Sequence, residues 1–138
     1  MTMNTVERLL KFDAGKLKTP EKVVTMELRK LNKQEFDFPC QAVDAEYVSE
    51  LQENSIEFSG GDIDRIRMYD SKVLTIIEGC PSVFKDKELR KHFGAATPKD
   101  LVAKLLVSGE MDFLKKEIDQ LGGYDDKKRK KNEDDVKN

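Results

Sequence analysis

Histidine occurs once in this 138-residue sequence, at His92, and cysteine twice, at Cys40 and Cys80. A single histidine excludes both a His-rich metal site and a two-histidine acid–base pair within one chain. In the local string RKHFG it reads as a surface residue at a helix end. The cysteines lie forty positions apart and outside any CxxC pair, so they read as reduced, buried thiols rather than a redox or metal motif. No apolar run approaches the roughly 20 residues needed to cross a bilayer. The opening MTMNTVERLLKFDAGK has acidic side chains and only a brief apolar stretch, unlike a signal or transit peptide. The expected setting is the cytoplasm, without a membrane.

The motifs of catalysis are missing too. GxGxxG, GxxxxGK[ST] and GxSxG do not occur, which removes the usual phosphate-cradling loops and the nucleophile elbow. Asp62 and Asp64 alternate in GGDIDR as in a calcium loop, but the central glycine and terminal glutamate of such a loop are lacking. These aspartates read as the start of a helix. No catalytic residue, metal or cofactor is expected, and the chain does not read as an enzyme.

A dominant charge is also lacking: 25 basic side chains meet 27 acidic ones, a net −2 with 38% of residues charged. A protein that coats nucleic acid needs an excess of clustered Lys and Arg. The basic run Lys127, Lys128, Arg129, Lys130, Lys131 is bracketed by acids, so residues 124–138 carry six basic and five acidic side chains, a net +1. With Tyr124 and Val136 as its only sizeable apolar residues, this tail cannot offset its ordering entropy by burial and is expected to be disordered.

What is present is a regular alternation of periods. Residues 1–123 suffice for one domain burying roughly two thirds of its extended-chain surface. Val6, Leu9 and Leu10 follow Asn4 and Thr5 at helical spacing, with Gly15 as the expected stop. Between about residues 23 and 42, Val24, Met26 and Leu28, then Phe36, Phe38, Cys40 and Ala42, alternate with polar residues across the turn Asn32, Lys33, Gln34. This predicts a β-hairpin with one apolar face, Pro39 requiring an edge or unpaired amide side.

Helices follow over about residues 44–121. Asp44 is placed to cap a helix bearing Tyr47, Val48, Leu51 and Phe58 that Gly60 and Gly61 end. Ile63, Ile66, Tyr69, Val73, Ile76 and Ile77 keep a 3.6 period until Gly79 and Pro81, and mark the central core helix. Leu89 and Phe93 belong to a short helix ending at Gly94. Thr97 and Pro98 then open a helix through Leu101, Val102, Leu105 and Leu106, and Ser108 opens a last one bearing Met111, Leu114, Ile118 and Leu121. The expected architecture is α+β: a mostly helical single domain with an N-terminal β-hairpin and a disordered charged C-terminal tail. Core packing accounts for most apolar residues of the two terminal helices. An edge of that surface, made of Leu105, Leu106, Met111, Phe113, Leu114 and Ile118, is the candidate partner-binding site by amphipathicity alone.

The order VERLLKFDAGKLKTP, KVVTMELRKLNKQEFDFPCQAV, VLTIIEGCPSVF and TPKDLVAKLLVSGEMDFLKKEIDQLGGY resembles the XkdN-like tail assembly chaperones of bacteriophages and prophages with contractile tails, over nearly the full chain. The resemblance implies a non-catalytic protein of the bacterial host cytoplasm that binds the tape measure protein. It would keep that long helical client soluble, help organise it as the tail tube polymerises, and be absent from the mature virion. Further copies of itself and a frameshifted longer form join the partners it suggests, because KKRKKN is the kind of stretch whose codons can form adenine runs on which ribosomes slip. The family offers no motif of binding residues to transfer. The alternative is a small nucleic-acid-binding regulator using the basic run and Arg90 to His92; the net −3 of residues 1–123 disfavours it.

Overall fold

The computed structural model describes residues 4–56 and 62–124. For residues 52–56 and 62–67 it describes the backbone alone. Three parts of the sequence reading therefore lie outside what is described: Phe58 with the Gly60–Gly61 stop, the side chains of Ile63 and Ile66, and the charged tail beyond Tyr124.

The chain begins with a short helix α1, Thr5–Leu10, whose first turn is capped by Asn4 Oδ1 accepting from the Glu7 amide at 2.8 Å. It ends well before Gly15, the expected stop. Asp13 Oδ1 takes the Gly15 amide at 2.9 Å and draws that glycine into a separate 3-10 turn, Ala14–Lys16.

The hairpin follows as predicted. Strand β1, Glu21–Leu28, pairs antiparallel with β2, Gln34–Gln41, in a register that sets Val23 opposite Pro39 and Met26 opposite Phe36. Val24, Met26, Leu28, Phe38 and Cys40 are buried on the inner face. The outer face carries Glu21, Thr25, Glu27, Glu35, Asp37 and Gln41, all exposed.

The connection is a 3-10 turn, Arg29–Leu31, followed by Asn32 and Lys33, both left-handed at φ 57° and 59°. Asparagine tolerates that conformation, whereas lysine pays about 1 kcal/mol for it. Lys33→Gly is therefore expected to raise stability by about 0.5–1 kcal/mol, read as a higher urea midpoint at unchanged slope; a lower midpoint would show that the lysine side chain matters more than its backbone.

Helix α2, Ala45–Ile56, begins where Asp44 predicts, the Asp44 carbonyl accepting from Val48 N at 3.0 Å. Helix α3, Asp62–Gly79, is the central one, packed against α2 and against three later helices: α4 (Pro81–Phe84), α6 (Pro98–Leu105) and α7 (Ser108–Leu121). Its Val73, Ile76 and Ile77 are buried, but Tyr69, expected in the same stripe, is 42% exposed. α3 ends at Gly79, as the Gly79–Pro81 stop predicts, and Pro81 then occupies the first position of α4, where its missing N–H costs nothing. Phe84 closes that turn fully buried and stacks on Phe38, ring centroids 6.1 Å apart and planes 11° off parallel.

Helix α5, Lys87–His92, is capped by Asp86 Oδ1 and leaves through Gly94 at φ 67°. Thr97 caps α6 by accepting from the Asp100 amide at 3.1 Å. The α7 start is held differently: Glu110 Oε1 accepts from Val107 N at 2.9 Å while its Oε2 accepts from Arg29 N at 3.0 Å. One carboxylate thus caps a helix and pins the hairpin turn.

At Gly79, α3 passes so close to α7 that a β-carbon there would sit 2.5 Å from both Cδ1 and Cγ2 of Ile118. Nearby, Cys40 and Cys80 are unbridged, buried thiols. The hydrogen bond from Cys80 holds the Cys40 thiol down, and that bond together with burial pushes Cys80 far up. Both are shut away from solvent, unlike the partly exposed setting of a reactive cysteine.

Candidate partner-binding surface

Of the six residues proposed from amphipathicity, Leu105, Leu106, Met111, Leu114 and Ile118 are all buried. The inner hairpin face and α3 cover them, so they build the core. Phe113 remains, 45% exposed. An acidic substitution at Leu105 or Leu114 would therefore report on folding before it reported on any partner.

The structure offers a different apolar surface. Between the hairpin turn and α4–α5 lies a groove of about 510 Å³, within the usual range for ligand sites. Buried Leu28, Phe38 and Leu105 form its floor, and half-buried Leu31, Phe36, Val83, Leu89 and Phe93 its walls. Asn32, Gln34, Asp37 and His92 also line it and supply its polar part.

Each wall has a local cause. Leu31 is held in place because its turn is tied down three ways: Lys33 N to the Leu28 carbonyl at 3.0 Å, Lys30 Nζ to the Ala103 carbonyl at 2.7 Å, and Arg29 N to Glu110. Phe93 ends α5 with the His92 ring edge-on to it, centroids 4.9 Å apart and planes at 86°. His92 is thus an exposed residue of the groove's lining, consistent with a helix-end position.

A second recess shares the same connecting turn. It is lined by Met26, Arg29, Lys33, Val107, Glu110 and Phe113 among others, and is more polar. The hairpin turn therefore separates two concavities, of which one contains Leu105 and the other Phe113.

Charge on the rest of the surface is unevenly distributed. The outer hairpin face carries Glu21, Glu27, Glu35 and Asp37 with no basic residue, and Glu27 faces Glu35 directly across the ladder. Such a like-charge pair is destabilising. Within Arg90 to His92, Arg90 Nη1 turns to the Ala96 carbonyl at 3.3 Å, leaving Lys91 and His92 exposed. Among the described residues no cluster of His, Cys, Asp and Glu could hold a metal ion, and no helix is long and apolar enough to cross a membrane.

The family model described as phage XkdN-like tail assembly chaperone protein matches residues 6–137. The crystal structure of the protein YqbN is similar in fold, with a TM-score of 0.53 at 22% identity over 83% of this chain and 94% of that one. No curated protein matches the sequence.

Proposed function

Because the chain belongs to the phage XkdN-like tail assembly chaperone family, we propose that it is a non-catalytic chaperone whose client is the tape measure protein. It acts in the host cytoplasm, holding that long helical chain soluble while the tube of a contractile tail polymerises around it, and leaves before the virion is complete. The observation that supports this reading is the groove beside the hairpin turn. Its apolar walls and polar margin match the mode in which an amphipathic helix lays one face into a hydrophobic groove. Unassembled, such a client exposes apolar stripes that would otherwise associate with one another. Phe113, in the neighbouring recess, extends the same surface.

Binding by apolar burial should depend weakly on salt, whereas a nucleic-acid regulator would lose affinity steeply as salt rises. The acidic outer hairpin face favours the former.

The test is co-expression with the large helical protein encoded immediately downstream, scoring its soluble yield and its co-purification in high salt. Leu31→Asp and Phe113→Asp place a charge at partly exposed positions of the two recesses, and thermal melts verify that both variants fold. Each is expected to reduce the recovered complex by at least about tenfold. Full recovery with both variants, or a complex that salt dissolves, would overturn the groove reading. The frameshifted form rests on the codons of residues 127–132: an overlapping open frame beside an adenine run is expected there.

A further inference from the structure

Residues 4–20 behave as a separate piece. Every residue from Asn4 to Pro20 is exposed, and Val6, Leu9, Leu10, Phe12 and Leu17 are 64–90% accessible. Among the described residues no hydrogen bond or ion pair ties residues 4–19 to the body; the first such link is the Pro20 carbonyl accepting from Ala42 N. Yet this arm is locally ordered, with a capped helix and an Asp13-capped turn. A six-residue helix is far below the length that is stable alone in water, so its apolar stripe calls for a surface to dock on.

We propose that this surface is the groove beside the hairpin turn of a second copy of the chain. Three features point to that occupant. The groove is an apolar concavity of the body, walled by half-buried Leu31, Phe36 and Phe93, and the arm supplies apolar side chains that stand exposed among the described residues.

Charge is complementary. Residues 1–20 carry Arg8, Lys11, Lys16 and Lys18 against Glu7 and Asp13, a net +2, whereas residues 21–123 carry 15 basic and 20 acidic side chains, a net −5. Asp37 lines the groove and Glu35 stands beside it on β2.

Placement is the third feature. The arm enters β1 at Glu21, opposite Gln41, while the groove lies at the far end, where Leu28 faces Gln34. Seven strand steps separate them, about 23 Å. Donor and acceptor at opposite ends of one molecule make a heterologous contact, which propagates head to tail unless it closes into a ring. In the free protein the arm fills the groove that the proposed function assigns to the client, so client and arm compete. The self-association itself does not depend on that assignment.

The experiment uses the full chain alone, with no client, so its failure is distinct from a failure of client binding. Light scattering across a concentration series should show a mass rising from 15.8 kDa toward multiples of it. The arm variant Leu9→Asp/Leu10→Asp and the groove variant Leu31→Asp should each remain at the monomer mass. Mixed together, they should form one capped heterodimer and stop, because one retains an intact groove and the other an intact arm. A synthetic peptide of residues 4–18 should dissociate the wild-type assembly, which keeps the test decisive if the groove variant fails to fold. A wild-type chain that is monomeric at millimolar concentration, including one whose arm folds onto its own groove, would overturn the proposal. So would assembly that survives the arm variant.

Discussion

Gly79→Val is expected to lower the stability of the protein by about 3 kcal/mol, and its melting temperature by about 12 °C for a domain of this size. A β-carbon at this position would stand 2.5 Å from Cδ1 and Cγ2 of Ile118 and 2.8 Å from its Cγ1. Ile118 is 1% exposed and has no room to swing aside. Cγ1 and Cγ2 hang from the same carbon, so a rotation that clears one drives the other into the contact. The relief available is for α3 to back away from α7, which opens the centre of the core.

Alanine gives the sharper discrimination. Replacing glycine by alanine in a helix ordinarily gains up to about 1 kcal/mol, so a net loss at Gly79→Ala isolates the close approach. Ile118→Ala should then cost less in the presence of Gly79→Ala than alone, because the new methyl group enters the space it vacates. Thermal melts of the two single variants and the double variant decide the matter, and a stabilising Gly79→Ala would refute the close-approach account.

Phe84→Ala is expected to cost about 3–5 kcal/mol. Set against the 5–15 kcal/mol typical of a whole domain, this leaves the chain near its unfolding threshold. Phe84 is fully buried on a four-residue helix too short to be stable alone, and its ring is what anchors that helix to Phe38 on β2. Its loss would also slacken one wall of the groove, because Val83 is its neighbour in sequence. The measurement is the urea midpoint at constant slope. Phe84→Leu, which retains most of the volume, should recover more than half of the loss; a loss below about 1 kcal/mol for alanine would mean that the stack contributes little to the core.

Local rules made much of this fold readable. The hairpin was legible because side chains alternate strictly, and a one-residue slip would have turned Val24, Met26 and Leu28 outward. Thr97 and Pro98 announce a helix through cap chemistry that needs no tertiary partner. Gly79 and Pro81 end α3 as expected, and the proline that cannot continue one helix is also well suited to begin the next, α4, which the stop signal did not announce.

The proposed partner surface was the least legible part. Met111, Leu114 and Ile118 repeat at helical spacing because they face the core, and Phe113, about 200° around the helix from Met111, is the residue the period leaves out. That mismatch was a signal already present in the sequence. The groove had none. Its walls come from β2, the connecting turn, α4 and α5, and each residue alone reads as ordinary core. The N-terminal helix was legible as a short helix and nothing more, because amphipathicity cannot tell which surface a stripe will meet.

Among the described residues both strands of the hairpin are edges, and a two-stranded sheet offers unpaired amides and carbonyls on each side as a template for further strands. Pro39 removes a donor from β2, and the facing Glu27 and Glu35 set a repulsive charge beside any strand that approaches with acids of its own. The few tenths of a kcal/mol lost to that repulsion give the chain colloidal protection. If copies crowd along a client, they are expected to pack through side chains while their backbones are kept from zipping into a continuous β-sheet, so that the assembly stays reversible where an unguarded hairpin would nucleate an aggregate.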